Sequence, residues 1–155
     1  MMYSFIPMNQ EMAEEIAYRW KYDGEFSFYD MTEDEEDLAE FLQSDRTGYY
    51  TVKKEEEWIG YYCFEESGRG EIEIGLGMKP ELTGNGLGLE FFQQGIEFAL
   101  EQYGPAELFL SVAAFNQRAI KVYQKAGFIP VKTFIQDTNG SSFEFVRMKF
   151  NPKGE

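Results

Sequence analysis

The chain has 155 residues, 43% of them apolar and 17% aromatic, and a formal net charge of −14 at pH 7. A chain of this length buries roughly 68–70% of its unfolded surface, enough for a core of its own, and this apolar content excludes a disordered polyanion. A pI near 4.4 has the wrong sign for a phosphate backbone, so nucleic acid is not an expected partner; the lack of any histidine removes Ser-His-Asp and Cys-His nucleophiles and His-ligated zinc.

Residues 3–6 form a short apolar run ending at Pro7, which reads as a strand. The start, Met1-Met2-Tyr3-Ser4-Phe5, has neither a basic n-region nor a long apolar stretch, and no later segment approaches ~18 uncharged apolar residues; a cytoplasmic protein without membrane contact is expected. Asn9 caps a predicted helix in which Met12, Ile16 and Trp20 recur at four-residue spacing. After an aromatic loop over 22–31, Thr32 and Glu35 make a capping-box pattern for a second helix, with Leu38, Phe41 and Leu42 inward, to about residue 44.

Two β-prone runs, 49–53 and 58–64, flank the charged turn Lys54-Glu55-Glu56-Glu57, and a third covers 71–78. Cys63, the one cysteine, lies in the second run, so no internal disulfide can form and a reducing compartment suits it. A helix is predicted from about 86 to 102, with Leu89, Phe92, Ile96, Ala99 and Leu100 on one face. Then come a strand at 107–112, a helix at 116–126 with Gly127 at its C-terminal cap, a strand at 129–135, an Asn139-Gly140 turn and a strand at 143–150. The order β α α β β β α β α β β predicts an α/β domain over residues 1–150, with a mixed, largely antiparallel central sheet and helices on both faces; residues 151–155 form a tail.

The strongest local signal is Met78-Lys79-Pro80-Glu81-Leu82-Thr83-Gly84-Asn85-Gly86-Leu87-Gly88, between a predicted strand and an amphipathic helix. Alternating glycines let backbone N–H groups converge, and the helix N-terminus adds partial positive charge, so the turn is an anion cradle. A Walker loop would need Gly-Lys-Ser/Thr, and a dinucleotide fingerprint would need a third glycine where Phe91 stands.

Pro80-Glu81-x-x-Gly84-x-Gly86-x-Gly88 resembles the coenzyme A pyrophosphate loop of the GNAT N-acetyltransferase superfamily. Asn116-x-x-Ala119-x-x-x-Tyr123-x-x-x-Gly127-Phe128 is similar to the superfamily's second motif. The two motifs span about 71–131, and the likeness is broadly to bacterial ribosomal-protein N-terminal acetyltransferases. Thr83 stands where that family usually has Arg or Gln.

The resemblance implies an acetyl-CoA N-acyltransferase fold and transfer of an acetyl group from acetyl-CoA to a primary amine by direct attack. It implies that Thr83, Gly84, Asn85, Gly86, Leu87 and Gly88 hold the pyrophosphate. Leu76 and Met78 would pair their backbone with the pantetheine amides, helped by Gly75 and Gly77, and Lys121 would meet the 3′-phosphate. Asn116 and Tyr123, seven residues apart, project from one helix face. Asn116 serves equally well as a helix N-cap or as a partner of the pantetheine arm, and Tyr123 as a core ring or as the acid that protonates the departing thiolate.

Glu73 shares a strand face with Glu71 and is the leading candidate base, the other reading being an ordinary polar strand face. Residues 1–60 carry 16 acidic side chains against 5 basic ones, and the aromatic loop mixes Phe26, Phe28 and Tyr29 with Asp30. Such a loop suits a cationic acceptor, either a small-molecule amine or a protein N-terminus, when it does not merely cover the sheet. The chain is expected to be a monomer or homodimer that binds no metal. A non-catalytic acyl-CoA-binding or sensing module is the alternative.

Overall fold

The alternation and capping signals of the sequence become twelve elements: β1 (Tyr3–Pro7), α1 (Gln10–Arg19), α2 (Glu35–Leu42), β2 (Tyr49–Lys54), β3 (Glu57–Glu66), β4 (Glu71–Met78), a 3₁₀ turn (Pro80–Leu82), α3 (Gly88–Tyr103), β5 (Glu107–Ala113), α4 (Gln117–Lys125), β6 (Phe128–Thr138) and β7 (Ser141–Phe150). The computed structural model describes residues 3–22, 24, 30, 35–42, 47–67, 70–82, 86–104, 106–138 and 140–151. No helix among the described residues is long and apolar enough to cross a membrane.

The strands form one seven-stranded sheet in the order β1-β2-β3-β4-β5-β7-β6. Every neighbouring pair is antiparallel except β4 and β5. Period-two alternation gives each strand two faces, and both are covered by helices. On one face Tyr62, Phe64, Ile72, Ile74, Leu108, Leu110 and Met148 pack with Phe91, Phe92, Ile96 and Ala99 of α3 and Ile120 of α4. On the other, Ala13, Ile16, Ala17, Trp20 and Phe41 of the α1–α2 side pack with Tyr49, Trp58, Tyr61 and Cys63. The fold is therefore the mixed, largely antiparallel α/β sheet expected.

The helix starts follow from their caps. Asn9 accepts the Met12 N–H at 2.8 Å, and Asn116 accepts the Ala119 N–H at 3.1 Å, each side chain satisfying an amide the helix leaves unpaired. The predicted third helix starts later, at Gly88, because Gly86 has φ 78°, a left-handed conformation no helical residue adopts.

Its buried face also differs from the simple four-residue stripe. Leu100 is 36% exposed, while Phe91 is 2% exposed and joins the core. The cause is Tyr62: its ring is fully buried under α3, and its hydroxyl donates to the Phe91 carbonyl at 3.0 Å. A Cβ on Gly95 would fall 2.2 Å from Cζ of that ring, so this glycine is a packing requirement. Gly95→Ala should therefore destabilise by about 2 kcal/mol, the overpacking strain outweighing the helix-propensity gain of roughly 1 kcal/mol. Urea unfolding measures it; an alanine variant as stable as the parent would mean that α3 can shift freely on Tyr62.

Candidate active site

The parallel pair β4–β5 is short. It joins Glu71 to Glu107, Ile72 to Leu108 and Glu73 to Phe109, and stops there although both strands continue. Past Glu73 they splay, and a cleft of about 950 Å³ opens between them. Its lining runs from Gly86 and Gly88 at the start of α3, past Asn116, Lys121 and Tyr123 of the α4 segment, to Tyr22, Phe41, Tyr61 and Cys63 on the opposite sheet face.

Ladder geometry decides which backbone groups enter the cleft. The β3–β4 register is unbroken from Gly60↔Met78 to Glu66↔Ile72. At its ends Lys79 N–H donates to the Ile59 carbonyl and Ser67 N–H to the Glu71 carbonyl, each at 2.8 Å. These bonds bracket Met78 and Ile72 as non-hydrogen-bonded positions, so Glu73, Gly75 and Gly77 pair with β3, while Ile74, Leu76 and Met78 turn their N–H and C=O groups toward β5. Beyond Glu73 the β5 ladder has ended, and the peptide groups of Leu76 and Met78 face the cleft. The Met78 carbonyl accepts the Tyr22 hydroxyl at 2.8 Å.

The start of α3 differs electrostatically from those of α1 and α4. Leu87 stands at the N-cap and no side chain caps the helix there; the ladder of α3 begins with Phe91 N–H donating to the Leu87 carbonyl at 3.0 Å. Gly88 and Leu89 of this uncapped turn line the cleft, and a Cβ on Gly86 would meet nothing among the described residues within 4 Å. First-turn amides, the helix dipole and open space at a positive-φ glycine together fit a bound phosphate. Thr83, Gly84 and Asn85 lie outside the described residues.

Arg118, Lys121 and Lys125 bring positive charge to the same side of the cleft. Tyr123 lines it two turns from Asn116, with its ring centroid 4.6 Å from that of Phe92. Core packing and cleft exposure thus coincide at Tyr123, as capping and cleft exposure do at Asn116.

Glu73 is placed differently. It is the last β4 residue in the ladder with β5, it ion-pairs with Arg147, and it is not among the cleft-lining residues. The Arg147 guanidinium in turn sits 4.4 Å from the ring centroid of Phe109.

The sequence-predicted acceptor residues Phe26, Phe28 and Tyr29 lie outside the described residues. The Asp30 carboxylate accepts the backbone N–H of Tyr22 at 2.8 Å and so fixes the segment that carries Tyr22. Burial, aided by the nearby Asp30 charge, pushes the Tyr22 hydroxyl well above the ordinary phenol range, and burial does the same to Tyr61, so both stay protonated and neutral. Phe41, Tyr61 and Cys63 were read from the sequence only as helix or strand residues. The signal that could have found them is the phase of β3, in which Tyr61 and Cys63 face away from the Tyr62 and Phe64 core, beside the side-chain-free Gly75 and Gly77.

Comparison with known proteins agrees with this geometry. Residues 14–128, well over half of the chain, match the family model described as "Acetyltransferase (GNAT) family". Mycothiol acetyltransferase from Streptomyces coelicolor is 32% identical over 92 residues, which cover 57% of this chain but only 29% of that protein. A GNAT-family acetyltransferase from Bacillus anthracis superposes with a TM-score of 0.73 at 14% identity, covering 97% of this chain and 95% of that one. A mutant of spermidine N-acetyltransferase from Vibrio cholerae superposes with a TM-score of 0.69 at 17% identity, covering 96% and 92%. At such identities the structural likeness speaks to the fold alone. The chain belongs to the GNAT acetyltransferase family, whose members are transferases that generally use acetyl-CoA as cosubstrate.

Proposed function

We propose that this chain is an N-acetyltransferase that moves an acetyl group from acetyl-CoA to a primary amine of a small-molecule acceptor. The observation that carries this reading is the fork after Glu73. It exposes one edge of β4 between an uncapped helix start with basic neighbours on one side and a neutral aromatic wall on the other.

In this reading the first-turn amides of α3, with the Gly86–Gly88 turn, hold the pyrophosphate, and Lys121 with its neighbours Arg118 and Lys125 meets the 3′-phosphate. Leu76 and Met78 pair their peptide groups with the pantetheine amides, and Asn116 orients the arm near the start of α4. When acetyl-CoA is bound it supplies an acyl group activated as a thioester.

Tyr123 donates its phenolic proton to the departing sulfur, a match of acid to leaving group in basicity. The attacking amine must be neutral, and Glu73, held by Arg147 at the apex of the fork, takes its proton through water. One C–S bond is exchanged for one C–N bond, and the proton lost by the amine balances the one gained by the thiol. No covalent enzyme intermediate is required, since Cys63 has no histidine to activate it. We take residues 1–150 as the domain that performs this transfer, and a reducing, cytoplasmic setting as the one that suits its single cysteine.

A screen of primary amines with acetyl-CoA, reading free thiol release alongside calorimetric binding of coenzyme A, tests the proposal. Sustained thiol release that depends on one amine is the expected result. Tight coenzyme A binding with no amine-dependent turnover would instead identify a binding or sensing module.

A further inference from the structure

The acceptor end of the cleft has a chemical character of its own. Its wall is formed by Tyr22, Phe41, Tyr61 and Cys63, and its floor is the β4 strand at Gly75 and Gly77. The two glycines do different things. A Cβ on Gly77 would strike the Tyr61 ring at 2.3 Å, so Gly77 is covered by that ring. Among the described residues a Cβ on Gly75 would meet only Cys63, at an ordinary 3.6 Å, and Gly75 is exposed, beside the face of β3 that carries Tyr61.

The charges in the cleft are segregated. Among the described lining residues every charged side chain is a cation, and all three belong to α4. The opposite wall offers rings, one thiol and two phenols that burial keeps neutral. The Asp30 carboxylate beside this wall accepts the Tyr22 backbone N–H, and the wall itself is ring surface. A planar apolar skeleton with one amine fits it: its ring gains contact area and edge or offset stacking against Tyr61 and Phe41, whose centroids lie 5.7 Å apart at 66°. Its single ammonium also gains from nearby ring faces before it is deprotonated.

Resting on the N-acetyltransferase reading above, we infer that the preferred acceptor is an aromatic primary monoamine, seated over Gly75 against Tyr61 and Phe41, with Gly75 setting the size limit. Acetyl transfer converts its amine into an amide and releases the free thiol. The backbone of Gly75 pairs with β3 and not with the cleft, so a side chain there fills the acceptor end without touching the edge assigned to the cofactor.

The test uses 2-phenylethylamine, spermidine and ethylamine as acceptors, with the intact chain and with Gly75→Ala and Gly75→Leu. The parent should acetylate 2-phenylethylamine with a kcat/KM about tenfold or more above that for spermidine, the scale expected for filling an apolar pocket. By calorimetry, 2-phenylethylamine should bind the coenzyme A-loaded protein. Gly75→Leu should lower the ratio of the 2-phenylethylamine kcat/KM to the ethylamine kcat/KM about tenfold or more, with Gly75→Ala between, while coenzyme A still binds.

Preference for spermidine, absence of 2-phenylethylamine binding to the loaded protein, or indifference to Gly75→Leu would each overturn the inference and leave the transferase reading standing. A parent protein that fails to bind coenzyme A would overturn both. Gly75→Ala, whose added methyl the structure accommodates, guards against misreading a folding defect in the larger variant.

Discussion

Gly86→Val is expected to abolish coenzyme A binding while leaving the protein folded. Gly86 has φ 78°, and a β-branched residue forced into that region costs at least the roughly 1–2 kcal/mol typical of any L-residue there. The chain relieves such strain most readily by re-forming the turn, which moves the amides ahead of α3 away from a shared focus. The protein's interior does not resist the change, since nothing among the described residues lies within 4 Å of the added Cβ, and a loss of this size is small beside a typical stability of about 5–15 kcal/mol. Gly86→Ala carries the same backbone strain with less bulk and should bind with intermediate affinity. Calorimetry and circular dichroism on the three proteins decide the matter: a folded valine variant with parental affinity would remove this turn from the cofactor site.

Tyr123→Phe is expected to lower kcat about 100-fold and to leave coenzyme A affinity nearly unchanged, the pattern of an interaction made only as the thiolate departs. The substitution keeps the ring that packs 4.6 Å from Phe92, so packing is preserved and the hydroxyl alone is tested. Glu73→Gln separates the two proton transfers. Its kcat should also fall, but the deficit should shrink as pH rises toward the amine's own pKa, where the acceptor is already neutral and needs no base; the Tyr123→Phe deficit should not shrink in that way. Normal turnover in Tyr123→Phe would assign the thiolate's proton to water or another group. A Glu73→Gln deficit independent of pH would mark the carboxylate as a strut for Arg147.

Local chemistry explains why so much of the architecture was legible from residues alone. Asn9 and Asn116 cap helices because their side chains reach an amide three residues on, an interaction contained within four positions. The alternation of β3 and β4 was equally plain, as was the turn before α3. What stayed hidden depends on partners distant in sequence. The pairing of Glu73 with Arg147 needs β7 to lie beside β5 and β5 beside β4, bringing together two residues 74 positions apart. The shift of the α3 core face from Leu100 to Phe91 is imposed by Tyr62 beneath Gly95. The cleft wall of Phe41, Tyr61 and Cys63 lies beside the split in the sheet; Gly75 and Gly77 hint at such a splay within β4, but the rung at which it begins is set by where the β5 pairing ends.

That split leaves the sheet one component short. A peptide edge ordinarily seeks another peptide edge, and an exposed one is an invitation to promiscuous pairing. Here the edge of β4 is turned inward, with Tyr22 spanning from a separate segment to its last carbonyl. Were a slender, amide-bearing ligand laid along it, as proposed above, it would play the part of a missing strand, completing a hydrogen-bonded ladder that the polypeptide begins and does not finish. Occupancy is then coupled to the integrity of the whole sheet: whatever free energy holds the ligand in the gap is added to the free energy that must be overcome to pull the two halves of the molecule apart.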